Sequence, residues 1–233
     1  GDRANDSLRV NGEDLQCKVV GEGGNLGMTQ RGRIEYALAG GRVNTDAIDN
    51  SAGVDCSDHE VNIKILVNSA VADGSLTVKQ RNRVLAQMTD EVGELVLFTN
   101  YVQTQSMTTA QSRGVAALEE QSRFMRALEH AGLLDREIEF LPDDEDLHER
   151  LATGIGLTRP EFAVVQSYAK MTLYEDLLIS DLPEQEYFSD DLRAYFPQLL
   201  QRRFPEAISG HSLRCEIVAT LLANSVVDRA GAT

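Results

Sequence analysis

Tryptophan is absent from the 233 residues, aromatic side chains make up 6%, and 22 basic residues stand against 37 acidic ones. Each shortage removes a class of function. So few rings leave no evident platform on which bases could stack. A net charge of −15 at pH 7 repels phosphate backbones and anionic lipid, so neither nucleic acid nor membrane is an expected partner. No stretch approaches the roughly 18 apolar residues of a membrane span. The polar start, Gly1-Asp2-Arg3-Ala4-Asn5-Asp6, has no signal-peptide core. Cys17, Cys56 and Cys215 are odd in number and far apart. That argues against a disulfide framework or a Cys-only zinc site and fits a reducing cytoplasm. What is there is a 42% hydrophobic content, enough for one large or two modest domains.

The chain changes character along its length. Cys17 to Val20 is a short apolar run ending at glycines, which predicts a buried strand. Val43 to Asp49 alternates in part and predicts a second. Between them, Thr29 to Leu38 predicts a short helix closed by Gly40-Gly41. Ser57-Asp58-His59-Glu60 has the form of a capping box and predicts a helix from Asp58 to about Ala72, stopped by Asp73-Gly74-Ser75. Thr77 opens the next helix in the same way.

The pattern stays mostly helical to Ala131, with a break near Ser112-Arg113-Gly114 and Gly132 at a C′ position. Asp143 to Asp146 reads as an acidic loop feeding a helix. Thr158-Arg159-Pro160-Glu161 caps another that runs to about Ile179. A short helix lies between Pro183 and Pro197, and Ser212 to Ala230 is the last. The expected architecture is α/β through about Gly74, then all-α.

Two loops carry the chemistry of the first third. Gly21-Glu22-Gly23-Gly24-Asn25-Leu26-Gly27 lies between a predicted strand and a helix. Glycines there let a ligand approach the backbone. Leu26 stands where the third glycine of G-x-G-x-x-G belongs, and no Gly-Lys-Ser/Thr follows, so neither pyrophosphate fingerprint is present. Spacing alone leaves a tight structural turn and a ligand loop both open.

Asn50 to Ser57 forms the second loop. Ser57 reads first as a helix cap, although a hydroxyl can accept from backbone while donating to a carboxylate. Cys56, Asp58 and His59 are too close in sequence to face one another on a helix, so no relay is drawn among them. Asp58 and Glu60 read as complements to the helix dipole. His59-Glu60 lacks a second His at i+4, and His130, His148 and His211 stand isolated, so no metal is expected.

These two loops resemble those of the glutamate dehydrogenases. The matching residues are Glu22-Gly23-Gly24-Asn25 after a Lys-Val-Val run, and Asn50-Ser51-Ala52-Gly53-Val54 with Ser57 four residues on. Thr29 to Tyr36, Asn50 to Ile65, Phe98-Thr99-Asn100-Tyr101 and Thr158 to Ala163 are similar to the large bacterial NAD-specific members, so the resemblance spans essentially the whole chain. It implies that residues 1–74 are the trailing part of a Rossmann-like NAD-binding domain and 75–233 a helical C-terminal region. It further implies that Gly23, Gly24, Asn25, Asn50 and Gly53 lie at the cofactor, with Asn25 near the nicotinamide. Ser57 would hydrogen-bond a carboxylate of L-glutamate or 2-oxoglutarate.

Two departures stand out. No proline follows Asn25, and Ser51-Ala52 replaces the usual Ala-Gly. The family's proton-transfer lysine and aspartate have no matching position, so no catalytic residue is assigned here. On that basis Gly1 is not expected to be the natural start, and the chain alone is expected to be inactive. Two rivals remain: a helical oligomerisation or regulatory module without catalysis, and a free-standing nucleotide-binding protein. A homo-oligomer is expected for the dehydrogenase reading and for the helical module.

Overall fold

Where helical and extended signals compete between Val43 and Asp49, the helix takes Asp46–Asp49. The computed structural model describes residues 6–24 and 27–233. The α-helices in chain order are α1 (Gln30–Leu38), α2 (Asp46–Asp49), α3 (Ser51–Ala72), α4 (Val78–Ala86), α5 (Thr89–Ser112), α6 (Leu118–His130), α7 (Asp144–Thr153), α8 (Arg159–Leu178), α9 (Ser189–Tyr195), α10 (Gln198–Arg203), α11 (Pro205–Ser209) and α12 (Arg214–Ala230). Short 3-10 turns join several of them.

The expected α/β, Rossmann-like beginning is overturned, because no strand forms among the described residues. Its remnant is one parallel bridge between Val19 and Arg42. The Val20 N–H donates to the Arg42 carbonyl at 2.9 Å and the Arg42 N–H to the Lys18 carbonyl at 3.0 Å. Two short parallel segments cannot hold a ladder without further strands and a covered face. Val19 accordingly stays exposed. The predicted second strand is lost differently. Asp46 to Asp49 closes a single helical turn, so only Val43 to Thr45 of that run is extended or coil.

The start of α3 also moves. It begins at Ser51, directly after Asn50 at the C-cap of α2. Ser57 is therefore in the helix interior and caps nothing. Its Oγ donates back to the Gly53 carbonyl at 3.1 Å, the i−4 bond typical of serine inside a helix. Asp58 and Glu60 lie beyond the first turn, too far along to complement the N-terminal dipole.

Local signals elsewhere hold. Thr29 Oγ1 accepts from the Gly32 N–H at 3.1 Å and starts α1. Thr77 and Gln80 form a reciprocal capping box on α4. Asp143 caps α7 through the Asp146 N–H at 2.9 Å. Gly132 follows α6 with φ +72°, a left-handed conformation that favours glycine. At α8 the cap is reinforced from a distance. Glu161, 1% exposed, accepts from the Thr158 N–H at 2.7 Å and takes a bidentate pair from Arg150 at 2.7 and 2.8 Å.

The chain divides into two compact units. One comprises residues 1–50, 104–169 and 231–233. Its core includes Ile48, Met107, Leu118, Met125, Leu147 and Phe162. The other comprises residues 51–103 and 170–230. Its core includes Leu66, Val67, Val84, Phe196, Leu200 and Ile217.

Candidate functional site

The glycine turn is held by the inner face of α1. Residues three apart share a helix face, and here that face carries Arg33 and Tyr36, only 1% and 2% exposed. The Tyr36 hydroxyl donates to the Cys17 carbonyl at 2.8 Å and anchors the approach to the turn. Arg33 holds the turn itself. Its Nη2 pairs with Glu22 Oε2 at 2.7 Å and with the Asp46 carboxylate, and its Nη1 donates to the Asn44 carbonyl at 2.8 Å. Asp49 Oδ2 lies 3.4 Å from the same Nη1. One buried guanidinium thus ties the turn to the segment Asn44–Asp49.

The ends of that segment are fixed as well. The Glu22 N–H donates to Asp49 Oδ2 at 3.0 Å, and Asn44 Nδ2 donates to Asp49 Oδ1 at 2.7 Å. Arg159 Nε reaches Asn44 Oδ1 from the start of α8. Asn50 follows at once, with its N–H on the Asp46 carbonyl at 2.8 Å.

The structure therefore brings Gly23 and Asn50 together. A Cβ at Gly23 would stand 3.0 Å from the Asp49 carbonyl oxygen and 3.7 Å from the Asn50 Cα. Gly23→Ala should accordingly cost about 1 kcal/mol, since the Asp49 carbonyl must shift to admit the methyl. Urea unfolding of the variant measures this, and an unchanged midpoint would show that the turn yields freely.

Gly24 lies beside Gly23 in the same turn, and Asn25 falls outside the described residues. Gly53 and Ser57 form a second group one turn apart on α3, with the Ser57 hydroxyl on the exposed side.

The electrostatics decide what the turn can take. Burial works against the Glu22 charge, but the N–H groups of Gly24 and Gly27, and then the Arg33 guanidinium, outweigh it and hold the carboxyl below its usual range. The Gly24 N–H donates to Glu22 Oε1 at 2.6 Å. Two donors that could have cradled a phosphate are thus spent on an internal carboxylate. A pyrophosphate would meet that negative charge, so it does not fit.

Arg33, Asp46, Asp49 and Asn44 were not among the residues singled out from sequence, and Glu22 was named there without a role. The available signal was an arginine three residues before a tyrosine on a helix whose neighbouring loops carry carboxylates. Among the described residues no group of three or more His, Cys, Asp or Glu is placed to hold a metal ion. No helix among them is long and apolar enough to cross a membrane.

Comparison with known proteins bears on the same segments. Residues 1–110 match the family model for the bacterial NAD-glutamate dehydrogenase catalytic domain, and residues 154–233 match that for the glutamate dehydrogenase C-terminal region. The chain is 54% identical over 233 residues to the NAD-specific glutamate dehydrogenase of Pseudomonas aeruginosa. It is 53% identical over 231 residues to that of Halomonas elongata and 48% identical over 233 to that of Mycobacterium tuberculosis. These alignments cover 99–100% of the chain, which spans 14% of the length of each relative.

Proposed function

Because this chain belongs to the bacterial NAD-specific glutamate dehydrogenases, we propose that it serves as part of an enzyme oxidising L-glutamate to 2-oxoglutarate and ammonium. The observation that carries this is the 54% identity running through the whole chain. NAD⁺ supplies the hydride acceptor when bound. The residues present here position groups and do not transfer protons.

Gly23, Gly24 and Asn50 line the uncharged, nicotinamide-ribose end of the cofactor, in keeping with a turn whose phosphate-type donors are already spent, and Gly53 is assigned to the cofactor by resemblance. Asn25 belongs to the same group by resemblance. Ser57 turns its hydroxyl from the Gly53 carbonyl to a substrate carboxylate, exchanging one acceptor for a charged and stronger one. The exposed Cys17 and Cys56 thiols favour a cytoplasmic setting. Exposed Leu97, Phe98 and Tyr101 favour a homo-oligomer.

The test is glutamate-dependent formation of NADH by the longer polypeptide that carries this chain, with none from the 233 residues alone. Absence of activity in the longer polypeptide overturns the proposal. A comparable rate from the short chain overturns the part-enzyme reading. Within the active polypeptide, Ser57→Ala should raise the KM for glutamate about tenfold, the cost of one hydrogen bond to a charged group. The KM for NAD⁺ should stay the same. Stability should change by less than about 0.5 kcal/mol, since Ser57 caps nothing and alanine is the better helix former. An unaltered glutamate KM removes Ser57 from the substrate site.

A further inference from the structure

The second unit contains a small acidic cleft that none of the roles above uses. Its lining includes Asp55, Asp58, His59 and Asn62 of α3, Tyr195 of α9 and Glu216 of α12, and its volume is about 200 Å³. Positions 55, 59 and 62 share one helix face, and Ser57 points some 160° away from His59 at about 100° per residue. The cleft is therefore on the other side of α3 from the hydroxyl assigned to glutamate.

The polar frame of the cleft is rigid. The Tyr195 hydroxyl donates to Asp58 Oδ2 at 2.7 Å, and Asn62 Nδ2 reaches the Tyr195 oxygen at 2.9 Å. The His59 and Tyr195 rings stack with centroids 4.4 Å apart. Beneath them His211 Nδ1 accepts from the Leu213 N–H at 3.1 Å, so its Nε2 carries the proton and donates to the Asn62 carbonyl at 3.1 Å.

Against that order, three buried polar atoms have no partner: Asp55 Oδ2, His59 Nδ1 and Asn62 Oδ1. His59 and Asn62 are 4% and 3% exposed, and buried polar groups rarely stay unpaired. Two of the three atoms can only accept. Lysine and arginine are absent from the lining, and Leu213, Ile217 and Leu221 supply apolar wall.

We propose that this cleft binds a small organic ammonium ion, its N–H donors on the Asp55 carboxylate and its short carbon chain against Leu213, Ile217 and Leu221. Tyr174 flanks the cleft and can face the cation with its ring. The size suits the inference, because drug-sized ligands need about 300 Å³ or more. Three carboxylates in the lining exclude a dicarboxylate such as glutamate. The inference stands independently of the proposed dehydrogenase activity.

The test is calorimetric titration of the chain at pH 8 with n-butylammonium chloride, and separately with sodium butyrate and tetramethylammonium chloride. Saturable binding is expected for n-butylammonium alone, because butyrate has the wrong charge and tetramethylammonium has no N–H to donate. Asp55→Asn should weaken it at least about tenfold. Lowering the pH to 5 should weaken it too, as Asp55 takes up a proton beside Asp58, His59, Tyr174, Tyr195 and Glu216. Absence of saturation, equal binding of butyrate or tetramethylammonium, or unaltered binding by the Asn variant would each overturn the proposal.

Discussion

Replacing Arg33 with alanine should destabilise the protein by about 3–5 kcal/mol, the usual cost of removing one partner from a buried ion pair. The size follows from what the side chain leaves behind. Glu22, Asp46 and Asp49 converge on a guanidinium that is 1% exposed. Without it three carboxylates face one another with only backbone and amide donors between them. The Asn44 and Glu22 carbonyls also lose their donor.

Arg33→Lys should recover little. A single ammonium cannot reach partners now divided between Nη1 and Nη2 in the planar fork. Chemical denaturation reads the loss, and amide exchange at Gly24 reads the freed turn. A cost under about 1 kcal/mol would mean that the carboxylates disperse into solvent and that the guanidinium does not fix the turn.

The contrast between Arg33 and Thr29 explains how much of this protein is legible from its residues. Thr29, Thr77, Asp143 and Thr158 were readable because each makes its bond within three residues of itself. Arg33 pairs with groups 11 to 16 residues away in both directions. A charged residue on a short helix looks like a solvated face until its partners are known. The Val43–Asp49 run was lost to a helical turn at Asp46–Asp49, and the expected strand at Cys17–Val20 failed for a related reason, meeting one bridge and no ladder. A four-residue apolar run becomes a strand only when a neighbour pairs with it, and nothing within the run says whether one will.

Ser57 misled in the opposite sense. Its pattern with Glu60 is that of a cap, yet the helix had already begun at Ser51 once Asn50 closed the turn before it. The glycine turn and Asn50 come together in the structure, where a Cβ at Gly23 would stand 3.7 Å from the Asn50 Cα. Their attachment through buried charge was not visible.

Asp55→Asn should make the protein more stable at neutral pH, by about 2–3 kcal/mol. Burial, and then the charge of Asp58, push the Asp55 carboxyl from the ordinary 3.8 up to about 6. Ionising this group therefore costs more in the folded state than in the unfolded one. Its contribution to stability is fully present below about pH 4 and is lost as pH rises to about 6, with each pKa unit worth about 1.4 kcal/mol.

His59 works in the other direction. Burial lowers its pKa and Asp58 only partly opposes this, so its contribution is present above the ordinary 6.5 and is lost as pH falls. In the native protein the two trends offset each other across the mildly acidic range. In the Asn variant only the histidine trend remains, so stability should fall more steeply toward acid and meet that of the native protein near pH 4. Unfolding free energies measured from pH 4 to 8 decide this, and a gap between the two proteins that does not widen with pH would refute it. A carboxylate that weakens its own fold at neutral pH, beside a buried amide oxygen with no partner, is what a cation-binding cleft requires. A bound ammonium ion would restore the stability that ionisation removes, and the Asn variant would gain that stability while losing the ligand.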